Sequence, residues 1–495
     1  MQGKRKLARL FGVLVILVVL FLWMKNGLFS QREAETPLTV AFSTSDQASV
    51  LPPRDVSDGI WVGATVLPLV TAFVASEDPL PQKTTLPTSE KSVEAIAPQL
   101  PTLPLVTEFY DAYELVLPKQ TEKNDEKKEE KPALVTGFTG TLPLALPVAS
   151  PSICEDEMRA VYVASAYNLD FPSRPGLSKK SLEKELDAIL ARALSCGMNT
   201  IIFQVRPASD ALYDSDIFPV SRYLAVSEGG AMALDALGYL IEKAHERGIA
   251  VHAWINPFRV RSASESDALL SAHNPAKKNP ALTFTVEGAV YYNPALQEVQ
   301  DLITCGVREV LRRYDVDGIL FDDYFYPEHM GNEDARAYAS YQAAGGRLSL
   351  ADFRRENINI LINRVYRVVK EERATCLFGV APRGVWRNAE DDPAGSDTRG
   401  GAAYDEIFCD ALAWVRGGYV DYLAPQIYWS FDHTAAPFAI LADWWNEALA
   451  KSGVKFCASL AAYSLSDEEI ERQKAYLEKL SEYGGFAIYR YAYLE

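Results

Sequence analysis

Residues 317–327 read DGILFDDYFYP: an apolar run from Gly318 to Phe321, two adjacent acids, then Tyr324, Phe325, Tyr326 and a proline. A run this short with no polar alternation has the pattern of a strand covered on both faces, as in a parallel sheet. If Gly318 and Leu320 point inward, period-2 alternation brings Asp322 inward too, at the C-terminal end of the strand, and turns Asp323 the other way. Two acids closing a buried strand are costly to desolvate, so chemistry is expected there.

The same pattern recurs on both sides of this run. Strands are predicted at Met158–Ala164, Thr200–Val205, Ile249–Ile255, Val316–Phe321, Leu377–Ala381, Val420–Ile427, Lys455–Leu460 and Phe486–Tyr489. Helical periodicity lies between them. Leu182, Leu186, Ile189, Leu190 and Leu194 share one face before Gly197, and Leu237, Leu240, Ile241 and Ala244 share another before Gly248. Asn293-Pro294 opens a third helix, and Ser349 caps a fourth carrying Ile358, Leu361, Val365 and Val368. Strands alternating with helices over residues 153–495 predict an α/β fold, a (β/α)8 TIM barrel. A doubly wound sheet fits less well, because no glycine-rich phosphate loop follows the first strand.

The remainder of the 495 residues is a different kind of chain. Lys4, Arg5, Lys6 and Arg9 precede an uncharged run from Leu10 to Met24 that ends at Lys25. Residues 1–30 therefore read as a cytoplasmic basic tail and a signal anchor, with residues 10–24 in the membrane and all that follows extracytoplasmic. Secretion after cleavage of the signal is the alternative. Residues 31–152 hold about half of the 28 prolines, show no sustained period, and read as a disordered Pro/Thr/Ser-rich linker. As a random coil it would extend about 60 Å. A Leu-Val-Thr-x-Phe element recurs in it, starting at Leu69, Leu105 and Leu134, with irregular spacing that argues against a solenoid.

The charge balance is 49 basic against 66 acidic residues, a net −17, with no basic stripe, so nucleic acid is excluded as a partner. The six cysteines include no CxxC pair and the five histidines no HxH or HExxH pair, so neither a metal nor another cofactor is expected. Buried free thiols are expected rather than disulfides.

In a TIM barrel the working residues stand just beyond the C-terminal strand ends. There the sequence places Arg206 and Asp210 after the second strand, and His252, Trp254, Asn256 and Arg259 along and after the third. Asp322, Asp323, Tyr324 and Tyr326 follow the fourth, Arg387 the fifth, and Gln426, Tyr428, Trp429 and Asp432 the sixth. Rings beside carboxylates and amides suit carbohydrate, whose apolar faces stack while its hydroxyls bond. Cutting a glycosidic bond takes two carboxyl groups, one of them a general acid. Asp322 is the first candidate. For the second, Asp432, Asp210 and Asp323 all stand open, with Asp432 favoured because the fourth and sixth strands face each other across the mouth.

The segments QVRPASDALY (204–213), AHERGIAVHAWINPFRV (244–260), DGILFDDYFYP (317–327), GVWRN (384–388) and APQIYW (424–429) resemble the bacterial glycosyl-hydrolase-like family 10. The resemblance implies a barrel hydrolase acting on glycans, including peptidoglycan strands stripped of stem peptides. It matches Asp322 and Asp323 to the family's paired acids. It matches Arg206, Asp210, His252, Asn256, Arg259, Arg387, Gln426 and Tyr428 to its other polar positions. Residues 214–233 depart from the family pattern. The resulting expectation is a membrane-tethered glycoside hydrolase of cell-wall glycan; a catalytically silent glycan-binding module is the alternative.

Overall fold

Valine, isoleucine and aromatic residues occupy both faces of the short strands, so each strand needs apolar cover on two sides, and closing the sheet on itself supplies one of them. The computed structural model describes residues 157–494. In chain order the strands are β1 (Met158–Val163), β2 (Thr200–Arg206), β3 (Ala250–Ile255), β4 (Arg259–Arg261), β5 (Thr283–Val286), β6 (Ala289–Tyr292), β7 (Gly318–Phe321), β8 (Leu377–Val380), β9 (Tyr422–Leu423), β10 (Lys455–Ala461) and β11 (Tyr483–Tyr489). All but β4, β5 and β6 pair in parallel, in the order β1-β2-β3-β7-β8-β9-β10-β11, and close into a barrel, the expected fold. The expected anchor, the linker with its repeated element, and Cys154 lie outside the described residues. Among the described residues no helix is long and apolar enough to cross a membrane.

Alternation sorts the strand residues. Ala160, Tyr162, Ile202, Trp254, Leu320, Tyr422 and Ala487 fill the lumen, while Val161, Val163, Ile201, Phe203, Ile319, Phe321 and Phe378 face the surrounding helices. The lumen is packed by pairing large residues with none: a Cβ on Gly318 would fall 2.7 Å from the His252 ring, and one on Gly379 would fall 2.1 Å from the Tyr422 ring. His252 and Tyr422 use that space to bond each other, Nδ1 to hydroxyl, at 2.8 Å.

Several bounds differ from expectation, each for a local reason. The strand expected over 420–427 is only Tyr422–Leu423, because Pro425 has no N–H to give the ladder; pairing resumes as isolated bridges from Gln426 to Arg383 and Ser459. The third helix begins at Gln297 rather than at Pro294, since Asn293 Oδ1 takes the Ala295 N–H at 3.0 Å and holds a turn there. Ala193, not Leu194, is buried at the end of the first helix. Cys196, Cys305, Cys376, Cys409 and Cys457 are free thiols, the last three buried.

Absent from the sequence reading is the antiparallel sheet β4-β6-β5, inserted between β3 and its helix. Its hairpin turns at Glu287-Gly288, both with positive φ (47° and 83°), the conformation of a two-residue turn that glycine adopts without steric cost. Because it follows the C-terminal end of β3, this insertion is built onto the same end of the barrel as Asp322.

Candidate active site

Asp322 follows the last residue of β7 and is 4% exposed. Its Oδ2 accepts the Trp254 indole N–H at 2.9 Å, and its Oδ1 accepts the Tyr324 backbone N–H at 3.4 Å. Burial, followed by the charge of Asp323, pushes its carboxyl up to about 7; Arg259 and the two hydrogen bonds pull the other way. This carboxyl keeps its proton to higher pH than an ordinary aspartate, which suits a general acid.

Asp323 turns from Asp322 toward the neighbouring strand ends. Its Oδ1 accepts from Gln426 Nε2 at 2.9 Å and its Oδ2 lies 3.5 Å from Arg383 Nε. Gln426 also donates to the Ala381 carbonyl at 3.0 Å, and Arg383 pairs with Glu328 and Glu406 as well. The second acid is therefore fixed by side chains from the ends of β8 and β9.

Around the pair stands a wall of rings. Tyr162 packs edge-on against Trp254 (5.4 Å) and Tyr489 (5.6 Å), and Tyr489 stacks on Tyr428 at 5.7 Å. On the other side Arg259, its backbone N–H held by Asn256 Oδ1 at 3.0 Å, carries the ring of Tyr324 4.6 Å from its guanidinium. Asn256 is fully buried with its Nδ2 unpartnered. Tyr324 is 44% exposed, so a ring of this site is open to a ligand, and Tyr167, beyond the end of β1, is 52% exposed and packs edge-on against Tyr223 at 5.8 Å. Sequence reasoning passed over Tyr162, Tyr167 and Tyr489. The rule that placed Asp322, alternation followed to the strand end, also reaches Tyr162 and Tyr489.

Arg206, Asp210, Tyr326, Arg387, Trp429 and Asp432 make no hydrogen bond or ion pair with Asp322 or Asp323. Arg206 would follow Gln204 into the lumen by alternation, but the register shifts between them and pairs Arg206 with Ile255. It ends fully buried on the outer face, stacked on Phe218 at 4.4 Å and bonded to the Pro257 carbonyl. Asp210 is buried in a loop clasp, where Arg222 lies 3.9 Å from it, 3.7 Å from Glu228 and 3.2 Å from Glu265. Tyr326 is buried among Phe284, Phe408 and Arg354, and Arg387 pairs with Asp392 and Asp405. Trp429 packs against Gly384 and His433. Asp432 is exposed on the loop after β9, and none of the contacts of Asp322 or Asp323 reaches it.

His252 does face the lumen, but toward the opposite end. There a cavity of about 580 Å³ is lined by strand starts, among them Thr200, Ala250, Leu377 and Tyr422, with His252, Asp317 and Cys457. Burial holds the His252 imidazole down at about 4, so it is neutral at physiological pH. Among the described residues no group of three or more His, Cys, Asp or Glu side chains converges to hold a metal ion.

A closed parallel barrel with a buried acid and a wall of rings at the C-terminal strand ends has the equipment of a glycan-hydrolysing TIM barrel. The chain belongs to the glycosyl hydrolase-like 10 family, whose model matches residues 157–478. It is 36% identical over 337 residues to the glycosyl hydrolase YngK of Bacillus subtilis (strain 168), covering 68% of this chain and 66% of that protein. It is 34% identical over 383 residues to the glycosyl hydrolase DigH of Escherichia coli (strain K12), covering 70% and 86%. Among solved structures it is similar to the PgaB (BpsB) glycoside hydrolase domain from Bordetella bronchiseptica, with 14% identity, a TM-score of 0.46, and coverage of 68% of this chain and 94% of that one. The family and its relatives support glycan hydrolysis as the class of activity.

Proposed function

We propose that this protein is a membrane-tethered, extracytoplasmic glycoside hydrolase that cuts cell-wall glycan, namely peptidoglycan strands lacking stem peptides, with Asp322 as the general acid. The observation that carries the reading is the placement of Asp322. It is a buried carboxyl raised to about 7, oriented by Trp254 and adjacent to a fixed second acid at the mouth of the barrel. Exposed Tyr167 and Tyr324 offer stacking faces for sugar rings, and Arg259, Gln426 and Tyr428 offer polar groups for hydroxyls. The basic tail and the apolar run over residues 10–24 support the tether, and the linker over 31–152 would let the barrel work away from the membrane.

The test is release of new reducing ends from peptide-free glycan strands by the purified protein, set against D322N. Turnover by the wild type that D322N loses supports the reading. Tight binding with no turnover by either would point instead to a silent glycan-binding module. Fractionation with and without residues 1–30 checks the tether.

A further inference from the structure

The usual route to a cut glycosidic bond places a second carboxyl opposite the acid, about 5–5.5 Å away for a nucleophile or about 6.5–9.5 Å away for a water-activating base. Among the described residues no carboxyl from another strand end bonds Asp322 or shares its hydrogen-bond partners, Trp254 and the Tyr324 N–H. Asp322 and Asp323 are consecutive at one strand end, so their carboxyls arrive from the same wall and cannot flank a bond on opposite faces. Of the other acids near the strand ends, Glu328 and Glu406 pair with Arg383, Asp405 with Arg387 and Asp170 with Arg490, while Asp210 and Glu228 are buried around Arg222, and none of them bonds a partner of Asp322. Asp432 is exposed on a loop whose Phe431 N–H is bonded to Glu469 in the first turn of the helix Asp467–Leu477, and it has no hydrogen bond or ion pair to Asp322 or Asp323.

Resting on the glycosidase reading above, we propose that the substrate supplies the nucleophile: the 2-acetamido group of an N-acetylhexosamine, oriented by Asp323 while Asp322 serves as acid. Asp323 is built for such a task. Both of its oxygens are tied, by Gln426 and by Arg383, yet the side chain keeps 15% exposure and a carboxylate has lone pairs left to accept an amide N–H. The acetamido carbonyl oxygen bonds to the anomeric carbon as the bond from that carbon to the leaving oxygen breaks. The leaving oxygen takes the Asp322 proton. The positive charge of the resulting five-membered oxazolinium ring is shared with its nitrogen, whose N–H faces the Asp323 carboxylate. Water then adds to the anomeric carbon and gives its proton to Asp322, and the ring opens to restore the acetamide. Two inversions give net retention, and the sugar on the non-reducing side of the cut must be N-acetylated.

The experiment compares one glycan strand preparation in three forms, N-acetylated, N-trifluoroacetylated and de-N-acetylated, cut by the full-length protein, with the anomer of the first product read by NMR. The expected result is retention, a rate reduced by about 100-fold or more on the two altered strands, and a comparable loss for D323N on the native strand. Cleavage of the de-N-acetylated strand within about tenfold of the native rate, or an inverted product, or a covalent adduct on a carboxylate after treatment with a 2-fluoro glycoside, would overturn the proposal while leaving the glycosidase reading intact. No cleavage of any strand would remove both.

Discussion

The indole N–H of Trp254 and the carboxyl of Asp322 meet at 2.9 Å from neighbouring strands, β3 and β7, so the acid is oriented by the barrel wall rather than by a loop. The bond favours the charged form of Asp322, while burial, the larger effect, favours the neutral one. W254F removes the stabilisation of the charge and should raise the Asp322 pKa above about 7. Activity that needs the protonated acid is lost as pH rises through that pKa, so the alkaline limb of the pH–rate profile should move to higher pH while kcat falls about tenfold. A limb that stays in place would show that the indole does not govern this proton.

Asp322 also couples stability to pH. Its pKa is raised on folding, from an ordinary 3.8 to about 7, so the folded state binds the proton more tightly than the unfolded chain. The stability this confers is complete below about pH 4 and is lost progressively as pH rises through about 7. D322N carries no such dependence. Its melting temperature should exceed that of the wild type above pH 7 by more than it does at pH 4, as thermal melts across pH would record.

Arg383 is the hinge pin of the second acid, touching Asp323, Glu328 and Glu406 at once. R383M should leave Asp323 held by Gln426 alone. Loss of orientation in the reacting geometry predicts a fall in kcat of about 10- to 100-fold with KM changed far less. A pure rise in KM would reassign Arg383 to substrate binding.

Tyr324 projects 44% of its surface at the mouth with Arg259 against its ring. Y324A removes a stacking face without opening the core. KM for glycan should rise by about fivefold or more, whereas stability should change by no more than about 0.5 kcal/mol. Steady-state kinetics with a melting curve separates the two effects.

Gly379 makes room for the Tyr422 ring, which a Cβ would approach to 2.1 Å. G379A overpacks the lumen and should cost about 1–3 kcal/mol, with a melting temperature lower by several degrees. An unchanged melt would mean that Tyr422 can leave its place and give up the bond to His252.

What the sequence made legible follows from how far a simple period runs undisturbed. Through β3 and β7 the alternation is regular, and Trp254 and Asp322 fall where it puts them. Between Gln204 and Arg206 a register shift breaks it, and the arginine turns outward. His252 is on the lumen face with Trp254 but two residues earlier, about 6–7 Å deeper, so a shared face did not mean a shared site. Asp210 and Tyr326 sit in loops that fold back into the protein, and no local periodicity reports such a return. Tyr162 and Tyr489 were overlooked because a tyrosine in an apolar strand looks like core packing. Each is core on one edge and site wall on the other.

The cavity at the N-terminal strand ends matters for inhibitor discovery. With its volume of about 580 Å³, it would attract compounds chosen by fit alone, yet His252 and Cys457 lie there and Asp322 does not. A compound lodged in it would bind the folded protein and raise its melting temperature without blocking turnover. Thermal-shift hits against this barrel therefore need a kinetic counter-screen before any of them is counted as an inhibitor.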